Sequence, residues 1–367
     1  MRKGMKIISV VGARPQFIKL ASLSKELRKK HKEIILHTGQ HYDDELSQIF
    51  FSELSIPEPN YNLGIGSAEH GEQTGKMLKS IEEVLLFEKP DMVIVYGDTN
   101  STLAGALASA KRNVPVAHVE AGLRSFRKSM PEEVNRVLTD HVSSLLFCPT
   151  RTAVNNLRKE GIIKGIHLVG DVMYDSLMDH LKLAEKKSKI MKKLNLQKGG
   201  FYLVTVHRAE NTDFKENLKK ITEIVTNLDK MVVFPIHPRT RKRLSEFNFL
   251  DKLLSKHDLV LIDPVSYLDM LVLEKNARYV LTDSGGVQKE AFFLRTPCLT
   301  LREETEWLET LKSNWNNLVG LSSKKVLRVL ERSQKSDFNP KKGEGELTVK
   351  GAKYEIARIV SLSHKTG

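Results

Sequence analysis

Short, nearly uninterrupted apolar runs alternate along this chain with longer stretches in which apolar residues return every three or four positions. Lys6–Val11 (K-I-I-S-V-V) is the first run, and Glu33–His37, Met92–Tyr96, Val114–Val119 and Leu145–Cys148 follow. Between them lie the helix-like segments Phe17–Lys30, Gly71–Glu88, Thr102–Arg112, Glu132–His141 and Thr152–Glu160. Strands that are apolar on both faces and separated by helices predict a parallel sheet covered on both sides. The pattern then restarts with strands at Phe201–Val206, Met231–Ile236, Leu259–Leu261, Tyr279–Thr282 and Cys298–Leu301. A polar, lysine-rich stretch from Asp179 to Gly200 separates the two sets. The fold class expected is therefore α/β, as two facing doubly wound Rossmann-like domains. Residues 1–169 form the first domain and 170–351 the second, with a final helix within 352–367 packing back on the first. Ser336–Gly351 reads as an exposed loop, and no internal repeat is evident. Ligands of such sheets sit beyond the carboxyl ends of the strands, so facing domains imply an active site in the cleft between them.

Composition narrows the classes. A length of 367 residues suits two domains. No run of 18 apolar residues occurs, and the first residues lack the apolar core and cleavage site of a signal peptide. A cytoplasmic enzyme without membrane contact is expected. The two cysteines, Cys148 and Cys298, stand in apolar contexts and read as buried free thiols with no metal spacing. The net charge of +13 comes from lysines dispersed along helix-like faces, without the aromatic-interleaved basic stripe of a nucleic-acid module. Such a balance suits a polyanionic small substrate, and no nucleic-acid partner is expected.

Candidate chemistry collects at the ends of the strands. The first ends in G-A-R-P-Q-F-I-K, where Gly12 permits a tight turn and Pro15 opens a helix. A helix start attracts anions, and Arg14 and Lys19 add charge there, although an ordinary strand-to-helix turn satisfies the same pattern. It is not the three-glycine dinucleotide fingerprint, so no nicotinamide is indicated, and no cofactor or metal is expected. Asp98 follows the strand ending V-Y-G-D-T-N, either as a helix N-cap or as a working acid. Glu120, in H-V-E-A-G-L-R, ends an apolar strand, where an unused carboxylate is costly. Glu132, in M-P-E-E-V-N-R, lies in a first helical turn that favours acids in any case. Three acids at one sheet edge suit proton transfer at carbon. The second set supplies His207 and Arg208 in T-V-H-R-A-E-N and His237 in P-I-H-P-R-T. T-D-S-G-G-V-Q-K-E-A places Ser284, Gly285 and Gly286 between a strand and a helix, where bare N–H groups face an anion. Glu290, one turn on, suits a ribose diol.

Taken in order, G-A-R-P-Q-F-I-K, T-G-Q-H, G-D-T-N-S-T-L-A, H-V-E-A-G-L-R, M-P-E-E-V-N-R, V-H-R-A-E-N and D-S-G-G-V-Q-K-E-A resemble the non-hydrolysing UDP-N-acetylglucosamine 2-epimerases, from about Lys6 to Trp307. The resemblance implies a glycosyltransferase-B-type fold and a homodimer. It implies reversible interconversion of UDP-N-acetylglucosamine and UDP-N-acetylmannosamine, by anti elimination of UDP to a 2-acetamidoglucal and re-addition on the other face. By the same analogy Asp98, Glu120 and Glu132 handle the C2 proton and nearby hydroxyls, and His207 assists the leaving diphosphate. Arg14, Lys19 and Arg208 lie by the UDP-sugar, Ser284, Gly285 and Gly286 hold phosphate, and Glu290 holds the ribose. A regulatory substrate site of bacterial members maps in part onto Gln40 and His237, while its arginine has no counterpart near Glu69 and His70.

One departure bears on the substrate. Many members carry T-T-E-R-P-E where this chain has E-T-E-W-L-E, with Trp307 and Leu308 at the Arg and Pro positions. The Trp form and the run Q-K-E-A-F-F are similar to epimerases of UDP-2,3-diacetamido-2,3-dideoxy-glucuronic acid, which share the chemistry and differ in the sugar. A glycosyltransferase of the same fold is the alternative from another class. A hydrolysing epimerase and a non-catalytic sugar-nucleotide sensor are further alternatives. A transferase rarely needs three acids in the first domain, and this chain carries no kinase domain of the kind often fused to hydrolysing epimerases.

Overall fold

β1 (Lys6–Val11) is buried along five of its six residues and pairs in parallel with β2 (Lys32–His37) and β4 (Met92–Tyr96). The computed structural model that contains it describes residues 4–40, 51, 53–334 and 351–363. β3 (Tyr61–Asn62), β5 (Val116–Val119), β6 (Leu145–Cys148) and β7 (Ile166–Leu168) complete a seven-stranded sheet in the order β3-β2-β1-β4-β5-β6-β7. β8 (Phe201–Thr205), β9 (Met231–Pro235), β10 (Leu259–Ile262), β11 (Tyr279–Thr282), β12 (Cys298–Thr300) and β13 (Asn316–Leu318) form a second sheet, ordered β10-β9-β8-β11-β12-β13. The pairings in both sheets are parallel. Both sheets reverse direction beside their first strand, between β1 and β4 and between β8 and β11. Those are the switch points at which doubly wound sheets bind ligands.

The chain divides into two units, Met1–His180 with Glu344–Gly367, and Leu181–Gly343. The helix Ala352–Ser363 belongs to the first. Its Ile356 and Val360 are fully buried, and the Gly351 and Lys353 amides donate to Asp175 at 2.8 and 2.9 Å. Of the loop read at Ser336–Gly351, all but Gly351 lies outside the described residues.

The long strands follow the apolar runs to within two residues. Three edge strands, β3, β7 and β13, have no such signal, because two or three half-exposed residues cannot show a period. The lysine-rich separator is also more ordered than its composition suggests. It contains most of the helix Val172–Lys187 and the short helix Ile190–Lys193, whose Leu181, Ala184 and Ile190 are buried beneath the charged side chains. Helices begin earlier than periodicity indicates, since their first turns are polar. In Arg14–Leu27 the Gln16 side chain caps the start and accepts from the Gly12 and Ala13 amides at 2.7 and 3.0 Å. Both cysteines are free and buried, and burial pushes both thiols well up. Among the described residues no helix is long and apolar enough to cross a membrane, and no three His, Cys, Asp or Glu side chains cluster as metal ligands.

Candidate active site

In the first unit, the chain leaves β4 through Gly97, whose φ of +65° places it in the left-handed region. A Cβ there would lie 3.2 Å from Lys19 Nζ and 3.5 Å from Glu120 Oε2, so glycine also makes room for that pair. Lys19 and Glu120 form a salt bridge with side chains 7% and 10% exposed. Glu120 is the first residue after β5 and takes φ +77°, a conformation uncommon for a non-glycine residue. Such strain persists where the surroundings over-determine it, and it concentrates at functional sites. Lys19 and Glu120 line a small pocket with Phe147, Pro149, Asp171 and Ile356.

Asp98, the next residue after Gly97, is half-buried and bound by Arg136 Nη2 at 2.5 Å. Arg136 comes from the helix Pro131–Val142 and also reaches Glu133 at 2.7 Å. Glu133 is structural: it accepts the Ser125 and Phe126 amides at 2.9 and 2.8 Å. Burial pushes its carboxyl up, but those amides, the Arg136 charge and the Ser125 hydroxyl hold it below the usual range. Glu132, its neighbour, is half-buried and makes no hydrogen bond or ion pair among the described residues. The turns are joined by side chains. Gln16 Nε2 donates to the Tyr96 carbonyl at 2.8 Å and to Thr102 Oγ1 at 3.0 Å, tying the end of β1 to the end of β4. Gln40 accepts from the amide and hydroxyl of Ser101 at 3.0 and 2.6 Å. Arg14 opens its helix half-buried.

The second unit repeats the scheme with opposite chemistry. Asp283, directly after β11, is fully buried. It accepts from the His207 amide at 3.2 Å, the Arg208 amide at 3.1 Å and Asn211 Nδ2 at 3.0 Å, fixing the segment that leaves β8. The His207 ring is 43% exposed with Nδ1 3.8 Å from Asp283, and its centroid lies 5.9 Å from that of His237. His237 caps the helix Pro238–Glu246 by accepting from the Arg239 amide at 3.2 Å. Although the residue is exposed overall, partial desolvation of its ring and the Arg239 charge push its pKa down against the pull of Asp283. Ser284 caps the helix Gly285–Phe293, whose first residues are Gly285 and Gly286. A Cβ on Gly285 would lie 2.2 Å from Glu306 Oε1 and 3.3 Å from Trp307 Nε1, so a side chain there would have to displace the Glu306 carboxylate and press on the indole. Glu290, in the same helix, is 3% exposed. Lys289 Nζ sits 3.9 Å from the centroid of the Trp307 ring.

A model of the UDP-N-acetylglucosamine 2-epimerase family matches residues 25–360. The chain belongs to this family. It is 59% identical over 349 residues to a UDP-N-acetylglucosamine 2-epimerase homolog of Methanococcus maripaludis, covering 94% of this chain and 98% of the relative. It is 50% identical over 324 residues to the UDP-2,3-diacetamido-2,3-dideoxy-D-glucuronate 2-epimerase of Pseudomonas aeruginosa, covering 86% and 88%. The crystal structure of the Methanocaldococcus jannaschii UDP-GlcNAc 2-epimerase in complex with UDP-GlcNAc and UDP superposes with a TM-score of 0.89 at 50% identity, covering 98% of this chain and all of that one. The protein is accordingly an isomerase of the epimerase family, and its two Rossmann-like units are consistent with a glycosyltransferase-B-type fold.

The structure brings Lys19, Glu120, Gly97 and Asp98 of this epimerase together at one sheet edge, with Glu132 on the adjoining helix. It brings His207, His237, Asp283 and the Ser284–Gly286 turn together in the second unit. Sequence reasoning missed Gln16, Arg136 and Asp283. Each stands inside a motif quoted above, within four residues of a candidate named there. Their signal was a polar side chain at a turn whose backbone groups need partners.

Proposed function

We propose that this epimerase interconverts UDP-N-acetylglucosamine and UDP-N-acetylmannosamine. A carboxylate takes the C2 proton, the C–H electron pair becomes the C1=C2 bond of 2-acetamidoglucal, and the C1–O bond breaks to release UDP. Re-addition of UDP with protonation at C2 from the other face gives the epimer. The observation that carries this reading is the cluster of Glu120 and Asp98, each anchored by a buried cation, at the switch point of the first sheet. Proton transfer at carbon requires a positioned acid and base, roles that anchored carboxylates can take. Glu120, Asp98 and Glu132 serve the sugar carbon and its hydroxyls. Lys19 acts by holding Glu120, a closer role than general charge beside the nucleotide.

In the second unit, Ser284, Gly285 and Gly286 receive the diphosphate at a helix start. His207 and Arg208 offset the charge developing on it, Arg14 adds charge from the first unit, and Glu290 accepts the ribose hydroxyls. Gln40 of the first unit and His237 of the second correspond in part, by the same resemblance, to a regulatory substrate site of bacterial members. The relatives and solved structures named for UDP-GlcNAc support the sugar assignment. A second reading, the diacetamido-glucuronate as substrate, is favoured by Trp307 and by the Pseudomonas relative. We also assign a cytoplasmic homodimer, which light scattering and cell fractionation test.

Incubation with UDP-GlcNAc in heavy water, without any acceptor, is the deciding experiment. Epimer carrying deuterium at C2 is expected by NMR. Epimer with protium fully retained overturns the glucal route, and absence of turnover without acceptor points to a transferase. The diacetamido-uronate run in parallel assigns the sugar.

A further inference from the structure

His118 is fully buried in β5, two residues before Glu120, and both of its ring nitrogens face acceptors. Nδ1 lies 2.7 Å from Asp140 Oδ1, and Nε2 lies 2.7 Å from the Gly97 carbonyl oxygen. A carbonyl only accepts, so Nε2 must carry a proton. A neutral imidazole would then present a bare Nδ1 lone pair to the Asp140 carboxylate at hydrogen-bonding distance, which is repulsive. Turning the ring over would set carbon atoms against both acceptors. Asp140 is in turn held by Arg124 Nη1 at 2.7 Å and the Gly122 amide at 3.1 Å, both on Oδ2. Burial pushes the Asp140 carboxyl up, yet its bonds and charge contacts to His118 and Arg124 outweigh this and hold it low.

We propose that His118 is a doubly protonated imidazolium buried beneath the acid cluster, and that it is a positioning residue whose charge-assisted bond to the Gly97 carbonyl fixes the turn presenting Asp98. This rests on the reading of Asp98 as a working acid. With His118 charged, the buried group closes as a neutral tetrad: His118 and Arg124 against Asp140 and Glu160, which Arg124 binds at 2.7 Å. The other titratable groups facing it are His141, 4.0 Å from Glu160, and the Cys148 thiol of β6, which burial and the Asp140 charge push up. Gly97 is then held through both of its backbone polar groups, since its amide donates to the Val119 carbonyl at 3.0 Å. A bond to a charged donor is stronger than a neutral one, and it acts on the one residue between β4 and Asp98.

Two measurements test this independently. In protein labelled with nitrogen-15 at histidine, the wild-type His118 ring, assigned by its loss in His118→Gln, is expected to show two protonated nitrogens in the folded protein. A ring with one bare nitrogen overturns the imidazolium, whatever the roles of Asp98 and Glu120. Kinetics test the positioning. The Asn amide reaches the place of Nδ1 and keeps Asp140 but loses Gly97, whereas the Gln amide reaches the place of Nε2 and keeps Gly97. His118→Asn is expected to lower kcat roughly ten- to a hundredfold, with KM within about twofold, and His118→Gln to retain more turnover. Equal turnover in the two variants, or wild-type kcat in His118→Asn, overturns the positioning role. If Asp98→Asn also turns over normally, what fails is the reading of Asp98. Should either variant misfold, by circular dichroism, the nitrogen spectrum of the wild type still decides the charge.

Discussion

At the residue scale the decisive object is the Lys19–Glu120 pair. Its members come from the helix Arg14–Leu27 and from the end of β5, and both side chains are close to nine-tenths buried. Breaking a buried pair by neutralising one partner leaves the other charge without compensation, typically at a cost of about 3–5 kcal/mol. Glu120→Gln is therefore expected to lose stability of that order and at least about a hundredfold in turnover. Adding Lys19→Met removes the stranded cation. The double variant should regain most of the stability while turnover stays low. Urea unfolding and steady-state assays of wild type, both single variants and the double variant complete the cycle. Recovery of activity along with stability would show Glu120 to be a structural carboxylate only.

The unit of construction at the element scale is the turn from strand to helix. β4 hands over to the helix Asn100–Lys111 through Gly97, Asp98 and Thr99, and the hydroxyl of Thr102 organises that turn. It donates to the Tyr96 carbonyl at 2.7 Å and accepts from the Thr99 amide at 3.1 Å and from Gln16 Nε2 at 3.0 Å. Thr102→Val keeps the shape and takes the acceptor from one buried and one half-buried donor, at about 1–3 kcal/mol each or less where water reaches them. Denaturant unfolding should show that loss, and on the proposed function kcat should fall more than KM rises, because the change acts on the turn that carries Asp98 and not on the second unit. An unchanged midpoint would mean that Gln16 alone holds the turn. The same device recurs after β11, where Asp283 replaces the hydroxyl as the hub.

For the whole molecule, stability should fall with acid in two stages. His237 and His167 have folded pKa values pushed down by burial. The unfolded chain therefore binds their protons first, and stability declines as pH drops below about 6.5. Asp140 and Glu133 are held below the usual carboxylate range despite burial, so their contribution is intact above the unfolded value of about 4 and disappears as pH falls through the folded one. Asp175 opposes the second stage. Burial raises it against the Gly351 and Lys353 amides, so protonation relieves a cost that is present at neutral pH. A charged His118 opposes the first stage, since the unfolded chain takes up that proton only near pH 6.5, so the second stage is the decisive one. Urea midpoints measured from about pH 5 downward should decrease monotonically. A midpoint that rose there would mean that Asp175 outweighs Asp140 and Glu133.

The sequence by itself determined the α/β class, two successive sheets, the strands at their centres and the strand-end turns that carry Asp98, Glu120, His207 and Ser284. A central parallel strand is apolar on both faces, and the residues just beyond it must turn, so both facts are written locally. The family was legible for the same reason, since its motifs are those turns. Tertiary structure alone decided which groups meet. Lys19 finds Glu120 across 101 residues and Arg136 finds Asp98 across 38. Those partnerships depend on strand order within the sheet, with β1 beside β4 and β4 beside β5, which no local pattern encodes. The same lateral order sets His118 of β5 against the Gly97 carbonyl after β4. A histidine in an apolar strand looks like a core residue until both of its neighbours are known. The short edge strands likewise exist only because a longer strand offers them its free hydrogen-bonding side.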